Sequence, residues 1–158
     1  MPIPPGHAAG DLLRAPEWEV LEEGPGYLRL DVHLPDHVRN PRGQLFGGFT
    51  GTYVDLVALT TVYAGGIGPR VWMATTNMRI DYLAPVEGPR FLIESRLTAS
   101  RGRNRFVDVR FMGHGDDEPT VLATATMRQN PDLPYMADAE AAHIRARAGS
   151  GGRADGNP

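Results

Sequence analysis

Residues 40–64 read NPRGQLFGGFTGTYVDLVALTTVYA, and between Arg42 and Arg70 the one charged side chain is Asp55. Every near neighbour of Asp55 is apolar, glycine or a hydroxyl residue. From Phe49 to Ala64 the run is apolar nearly all round, the pattern of a helix enclosed by a core. The pair Gly47-Gly48 stands at its entrance. The spacing predicts a lone carboxylate two turns inside a buried helix. Burying an unpartnered carboxylate is costly, so Asp55 is expected to be either hydrogen-bonded for structure or functional.

Outward from this helix, the chain reads mainly as strands. Residues 1–15 are rich in Pro and Gly and are expected to be a flexible N-terminus. Pro16–Glu23 has the composition of a short helix, with Pro16 in its first turn and Trp18 and Leu21 on one face. Gly24-Pro25-Gly26 breaks it. Tyr27–Leu34 alternates strictly, with Leu28, Leu30, Val32 and Leu34 on one face, as a half-buried strand does. Pro35–Gly43 is loop.

Beyond the helix, Gly65–Pro69 is a stop and turn. Strands are expected over Val71–Leu83, from Phe91 to Thr98, from Arg105 to Met112 and over Thr120–Arg128. In the first of these, Met78, Ile80 and Tyr82 face opposite to Asn77, Arg79 and Asp81. One helix followed by four strands in tandem, with no crossover helices, implies an α+β fold: an antiparallel sheet on one helix. The expected organisation is one domain over residues 16–133, a candidate C-terminal helix over 134–148 with a thin apolar stripe, and a disordered Gly-rich tail over 149–158.

Composition narrows the function classes. The 158 residues suit one domain, and the absence of cysteine excludes a disulfide framework and thiolate chemistry. The net charge is −3, with all sixteen basic residues being Arg, so a general nucleic-acid binder, which carries a basic excess, is not expected. The five histidines are scattered without ligand spacing, so no metal site is expected. The N-terminal residues lack a basic region followed by an apolar core, and the longest apolar helix, carrying Asp55 and several Thr, is too short and polar to span a bilayer. A cytoplasmic protein without a membrane partner is the expectation. No Gly-x-Ser-x-Gly is present, which sets aside an α/β-hydrolase.

The central stretch resembles the hotdog-fold acyl-CoA thioesterases of the phenylacetate-pathway (PaaI-like) type. Their signature is Asn, Gly three residues on, then His-Gly-Gly and an acidic residue seven after the second Gly. Asn40, Gly43, Gly47, Gly48 and Asp55 fit it without a gap, and Phe46 stands where the family usually has His. ATTNMRIDYLAPVEG at Ala74–Gly88 resembles the family's strand after the helix. The similarity covers roughly Asn40 to Met127. It implies a hotdog fold, an antiparallel sheet wrapped around one long central helix. It also implies thioester hydrolysis on acyl-CoA without a cofactor, and a homodimer or dimer of dimers.

Thioester hydrolysis needs a base or nucleophile, donors for the developing oxyanion and a held water. The resemblance assigns the first role to Asp55. Helix N-terminal amides are preorganised donors, and Gly47 and Gly48 would let a carbonyl approach them; tight helix packing is the alternative reading of the pair. Asp55 lies roughly 10–12 Å along the axis from Gly48, too far for one chain to bring both to one carbon. In the family the two come from different subunits. Thr75 is the candidate for holding the water, with Thr76 the alternative one register away. Asn40 would support the carboxylate or water, and Gln44 is a further amide beside it. Arg101, Arg103 and Arg105, in a dense basic turn, are candidates for the CoA phosphates. Phe46, Phe49, Tyr53, Trp72 and Met73 are candidates for lining an acyl pocket, with ordinary core packing the alternative reading of each. Two rivals remain. A non-catalytic acyl-CoA or acyl-lipid binding protein is favoured by Phe46, and a hotdog dehydratase is disfavoured because only His37 lies near the helix entrance.

Overall fold

The structure is a computed structural model, and it describes residues 8–66 and 70–133. The C-terminal helix and tail expected over 134–158 lie outside the described residues, as do 1–7. Two helices and six strands form the domain: α1 (Ala8–Leu12), β1 (Glu19–Gly24), β2 (Tyr27–His33), α2 (Gly47–Val62), β3 (Trp72–Tyr82), β4 (Arg90–Arg101), β5 (Asn104–Met112) and β6 (Pro119–Asn130). All strand pairs are antiparallel, in the order β1-β2-β4-β5-β6-β3. This is the expected α+β architecture, one sheet curved on one long helix.

Ten of the sixteen residues of α2 are buried, on more than one side of the helix. The sheet contributes Leu28, Leu30, Val32, Phe91, Ile93, Val107, Val109, Phe111, Val121, Ala123, Ala125 and Met127 to the same core. Among the described residues no buried hydroxyl is left without a partner. Thr60 and Thr61 donate back to the Leu56 and Val57 carbonyls, and Thr61 also pairs with Ser95 at 2.8 Å. Tyr53 fills the centre, stacked on Trp18 at 5.6 Å and edge-on to Phe91 and Phe111. Tyr53 is therefore core, not acyl pocket, and Met73, 6% exposed, belongs with it.

Three expectations are corrected. The helix expected over Pro16–Glu23 is a 3-10 turn, Ala15–Glu17, followed by β1. Pairing of β1 with β2 through the Gly24–Gly26 turn overrides the helical composition. Trp18 and Leu21 no longer share a face: Trp18 is buried with its indole donating to the Leu13 carbonyl, and Leu21 is exposed. Within the segment expected to be loose, Ala8–Leu12 is helical, and Leu13 and Ala15 are fully buried. Of the four strands expected in tandem after α2, β4, β5 and β6 lie side by side in chain order, but β3 is not beside β4. β3 pairs with β6 at the far edge, and β4 pairs with β2. Residues 83–89 make this crossing, held by Leu45 N–H to the Val86 carbonyl, by Leu34 N–H to the Pro89 carbonyl and by the burial of Val86.

The end of α2 depends on one glycine. Gly65 has φ +70°, and a Cβ there would stand 2.6 Å from the Pro25 nitrogen and 2.8 Å from the Gly24 carbonyl carbon. The β1–β2 turn is pressed onto the helix terminus at this point, with Gly26 N–H donating to the Ala64 carbonyl. Gly66 has φ +75° but open space around it. Gly66→Ala should cost about 1 kcal/mol, the left-handed penalty alone, whereas Gly65→Ala adds a backbone clash and should cost at least about 2–3 kcal/mol. Urea denaturation of the two variants reads the difference.

Candidate active site

The helix face turned towards β3 carries Gly47, Gly51 and Asp55, four residues apart and so in one row. Opposite them along β3 lie Tyr82, then Ile80 and Met78, then Thr75. A Cβ at Gly47 would meet the Tyr82 ring at 3.6 Å, and one at Gly51 would meet Met78 and Ile80 at 3.7 and 3.8 Å. Thr75 Oγ1 donates to Asp55 Oδ1.

A β-bulge makes the last contact possible. Thr75 opposes Met127 and Asn77 opposes Thr126, which leaves Thr76 as the extra residue. The bulge shifts the alternation by one, so that Thr75 and Met78, an odd and an even position, both turn to the helix. Thr76 donates instead to the Thr126 carbonyl. Of the two threonines it is Thr75 that reaches the carboxylate.

The sequence expectation of a buried Asp55 is corrected. In the single chain Asp55 is exposed, the only exposed residue from Tyr53 to Ala64. A carboxylate with one hydroxyl donor stays hydrated more cheaply than it is buried. Asp55 thus lies on an open strip beside β3, whose outer edge has no neighbouring strand among the described residues.

At the other end of the strip is the helix N-terminus. Phe46 is the N-cap, in extended conformation and without a side-chain cap. Phe49 N–H bonds the Phe46 carbonyl, while among the described residues the Gly47 and Gly48 amides have no acceptor. Both glycines are exposed. The Tyr82 hydroxyl donates to the Gly47 carbonyl at 2.8 Å. Phe46, 53% exposed, lays its ring over Gly48, where a Cβ would stand 2.9 Å from it, and meets Phe49 edge-on at 6.0 Å.

Asn40 and Gln44 are engaged in the entrance loop. The Asn40 carboxamide oxygen accepts from the Arg42 and Gln44 amides, and its Nδ2 donates to Gln44 Oε1. Gln44 Nε2 donates to Glu87 at 3.1 Å. These bonds fix the loop that delivers Phe46 and the glycines to the helix start.

The basic turn joins β4 to β5, with Arg101 and Arg103 exposed. Arg105 is spent on the hairpin, donating to the Gly102 and Asn104 carbonyls and to Gln129 Oε1. The register pairs Arg101 with Asn104, Asn104 with Arg128 and Arg128 with Ala74. Arg128 therefore joins Arg101 and Arg103 at the Asp55 end of β3. Sequence reading missed it because only strand register brings residues so distant in the chain together. Tyr82 was missed for the same reason.

Among the described residues no three metal-ligating side chains cluster, and no helix is long and apolar enough to cross a membrane. A cavity of about 390 Å³ on the charged face of the sheet is lined by Arg79, Asp81, Glu94, Arg96, Asp108 and Arg110. Its charges largely pair among themselves, Arg79 with Asp81 at 3.1 Å and Arg110 with Glu94 at 3.8 Å, and it holds none of the candidate residues.

Comparison with known proteins concerns the fold and the superfamily. Among curated proteins none matches the sequence. The fold is similar to that of a phenylacetic acid degradation-related protein from Ralstonia eutropha, with TM-score 0.66 and 23% identity, covering 81% of this chain and 92% of that one. It is similar to a hypothetical thioesterase with coenzyme A from Streptococcus pneumoniae, with TM-score 0.65 and 18% identity, covering 75% and 89%. A Streptococcus mutans protein bound to acetyl-CoA has TM-score 0.61 and 18% identity over 73% and 90%. The sheet, the central helix and these neighbours define the hotdog fold. The thioesterase superfamily model matches residues 42–120, from the loop before the glycine pair to the start of β6, and the chain belongs to that superfamily.

Proposed function

We propose that this protein hydrolyses an acyl-CoA thioester to the free acid and CoA, in a homodimer whose sites combine residues of both chains. The observation that carries this reading is the open strip with Asp55, oriented by Thr75, at one end and the free Gly47 and Gly48 amides at the other. Asp55 lies seven positions after Gly48 in the helix, about 10 Å along the axis. Two antiparallel copies related by a two-fold through the strip bring each Asp55 to the partner's Gly48. The unpaired edge of β3, eleven residues long, and the exposed apolar side chains of Phe46, Tyr82 and Leu83 supply a surface for that pairing.

In this site the thioester oxygen points at the glycine amides, which stabilise the oxyanion. Water attacks the carbonyl carbon and gives its proton to Asp55. The C–S bond then breaks, and the leaving CoA thiolate takes that proton back. Direct attack by Asp55 would instead pass through an anhydride that water opens; after one turnover in ¹⁸O-water, only this route labels Asp55. Thr75 holds the carboxylate, and Asn40 and Gln44 hold the entrance loop. Arg101, Arg103 and Arg128 receive the CoA phosphates. Phe46 gives the acyl entrance an apolar wall in place of the polar His of relatives. That same substitution favours the second reading, a protein that binds acyl-CoA without hydrolysing it.

Three measurements test this. Asp55→Ala should lower kcat by about a hundred- to ten-thousand-fold with fold and assembly intact, measured by thiol release over short, medium and aryl acyl-CoAs. Tight CoA-ester binding with no turnover by the unaltered protein would establish the second reading instead. Mixing Asp55→Ala with Gly48→Val chains, through a dissociation and reassociation step, should restore about a quarter of the activity. Half the dimers are then hybrids with one intact site of two; no recovery would mean the site lies within one chain. Neutralising Arg101 and Arg103 to Ala should raise KM for acyl-CoA by about 2–5-fold per arginine, more at low salt, and leave an acyl-pantetheine ester unaffected.

A further inference from the structure

We propose that the outer face of the sheet docks a second copy of this chain, packed back to back on it through two rows of opposite charge. None of the residues assigned to thioester hydrolysis takes part.

Strand register sets the rows. On the face away from the core, Arg29, Glu94, Arg110, Leu122 and Asp81 are cross-strand partners in turn along β2-β4-β5-β6-β3. Two residues along each strand, Tyr27, Arg96, Asp108, Thr124 and Arg79 form the next row in the same order. The pleat keeps both rows on one face, about 6.6 Å apart. The cavity of about 390 Å³ lies between them, over Ser95, Val109 and Ala123.

The rows are opposite in sign, column by column. Glu94 stands beside Arg96, Arg110 beside Asp108, and Asp81 beside Arg79. A two-fold axis in the plane of the sheet, running across the strands between the rows, exchanges the rows of two copies. Glu94 then faces Arg96 of the second copy, Arg110 faces its Asp108, and Asp81 faces its Arg79. By symmetry each facing occurs twice, and no charge in the rows meets its own sign. Arg29 faces Tyr27 of the second copy, a cation over a ring. Along β5, Phe106 and Met112 are equally far from the axis, so Phe106, 38% exposed, meets a thioether rather than a charge.

Within one chain these charges are only partly used. Among the described residues the ion pairs inside the two rows are Arg79 with Asp81 at 3.1 Å and Arg110 with Glu94 at 3.8 Å. Arg96 lies over the Tyr27 ring at 4.5 Å. Arg29 Nε is the one buried side-chain polar atom left without a hydrogen bond. Packed sheets stand about 10 Å apart, a gap that an arginine and a carboxylate side chain bridge end to end. Exposed ion pairs are individually weak and are screened by salt, so the pairing is a low-salt assembly.

Sedimentation velocity of the full chain tests this at about 50 mM and about 1 M salt. The assembly mass at low salt should be twice that at high salt. Arg79→Asp sets like charges against each other twice and should raise the dissociation constant of this association at least about tenfold. Adding Asp81→Arg to Arg79→Asp re-forms both the facing and the pair within the chain, and should restore the wild-type mass. Because the chain has no cysteine, Thr124→Cys supplies a single thiol close to the axis. A short bismaleimide should link two such chains at low salt and fail to link them at high salt. A mass indifferent to salt and to Arg79→Asp overturns the docking, and so does an unlinked Thr124→Cys. Failure of the double substitution to restore what Arg79→Asp removes overturns the row-on-row geometry. A lower melting temperature for Arg79→Asp at unchanged, salt-independent mass would mean that another part of the same chain covers this face, and overturns the docking as well.

Discussion

The fold depends on enclosing a helix that has almost no polar face. Most helices in small domains lay one apolar stripe on a sheet and show the other side to water. α2 cannot do so, because Val54, Leu56, Val57, Ala58, Leu59 and Val62 point in different directions around its axis and are all buried. A curved sheet of six strands is the economical way to surround such a helix, and α1 and the Trp18 ring close what the sheet leaves open. The residue spacing of the sheet then follows from that of the helix. Each four-residue step along α2 advances about 6 Å and each two-residue step along β3 about 6.6 Å. The two rows stay matched from Tyr82 and Gly47 down to the bulge.

The bulge is where the match is adjusted. Without Thr76 as an extra residue, strict alternation would place Thr75 on the face away from Asp55. A strand of eleven residues that begins with its odd positions inward would then end with its even positions outward, and Tyr82 would leave Gly47. A single inserted residue lets one strand address both ends of the helix strip. Bulges of this kind are common beside functional sites because they re-aim a side chain without moving the strand.

What could be read from the sequence follows the range of the forces involved. The five strands with alternating stretches and the apolar helix are local patterns, and they were legible, as were the glycine pair and Asp55. β1 was not, because Glu19–Glu23 is good helical composition and only its pairing with β2 makes it a strand. The position of β3 beside β6 was not legible either, since chain order favours neighbours and the crossing by residues 83–89 leaves no periodic signal. Arg128 and Tyr82 are visible only through register and contact. The exposure of Asp55 was misread for a different reason. An all-round apolar helix looks fully enclosed in one dimension, and nothing local says that its single acidic position faces the one gap in the enclosure.

That gap has a consequence for how such a protein would work. A helix is stiff, and no rotamer change of Asp55 spans the two turns to Gly48. On the two-chain reading, neither chain alone holds a complete site. Activity then depends on assembly as strictly as on the catalytic groups, and it falls with protein concentration below the dissociation constant of the dimer. The exposed carboxylate is part of the same arrangement. In the free chain it remains hydrated, so folding does not bear the cost of burying it. On that reading the cost would arise only when two strips meet, and there the exposed apolar side chains of Phe46, Tyr82 and Leu83 would have area to offset it. The two-chain proposal would thus place the Asp55 charge where desolvation and site completion occur in one step.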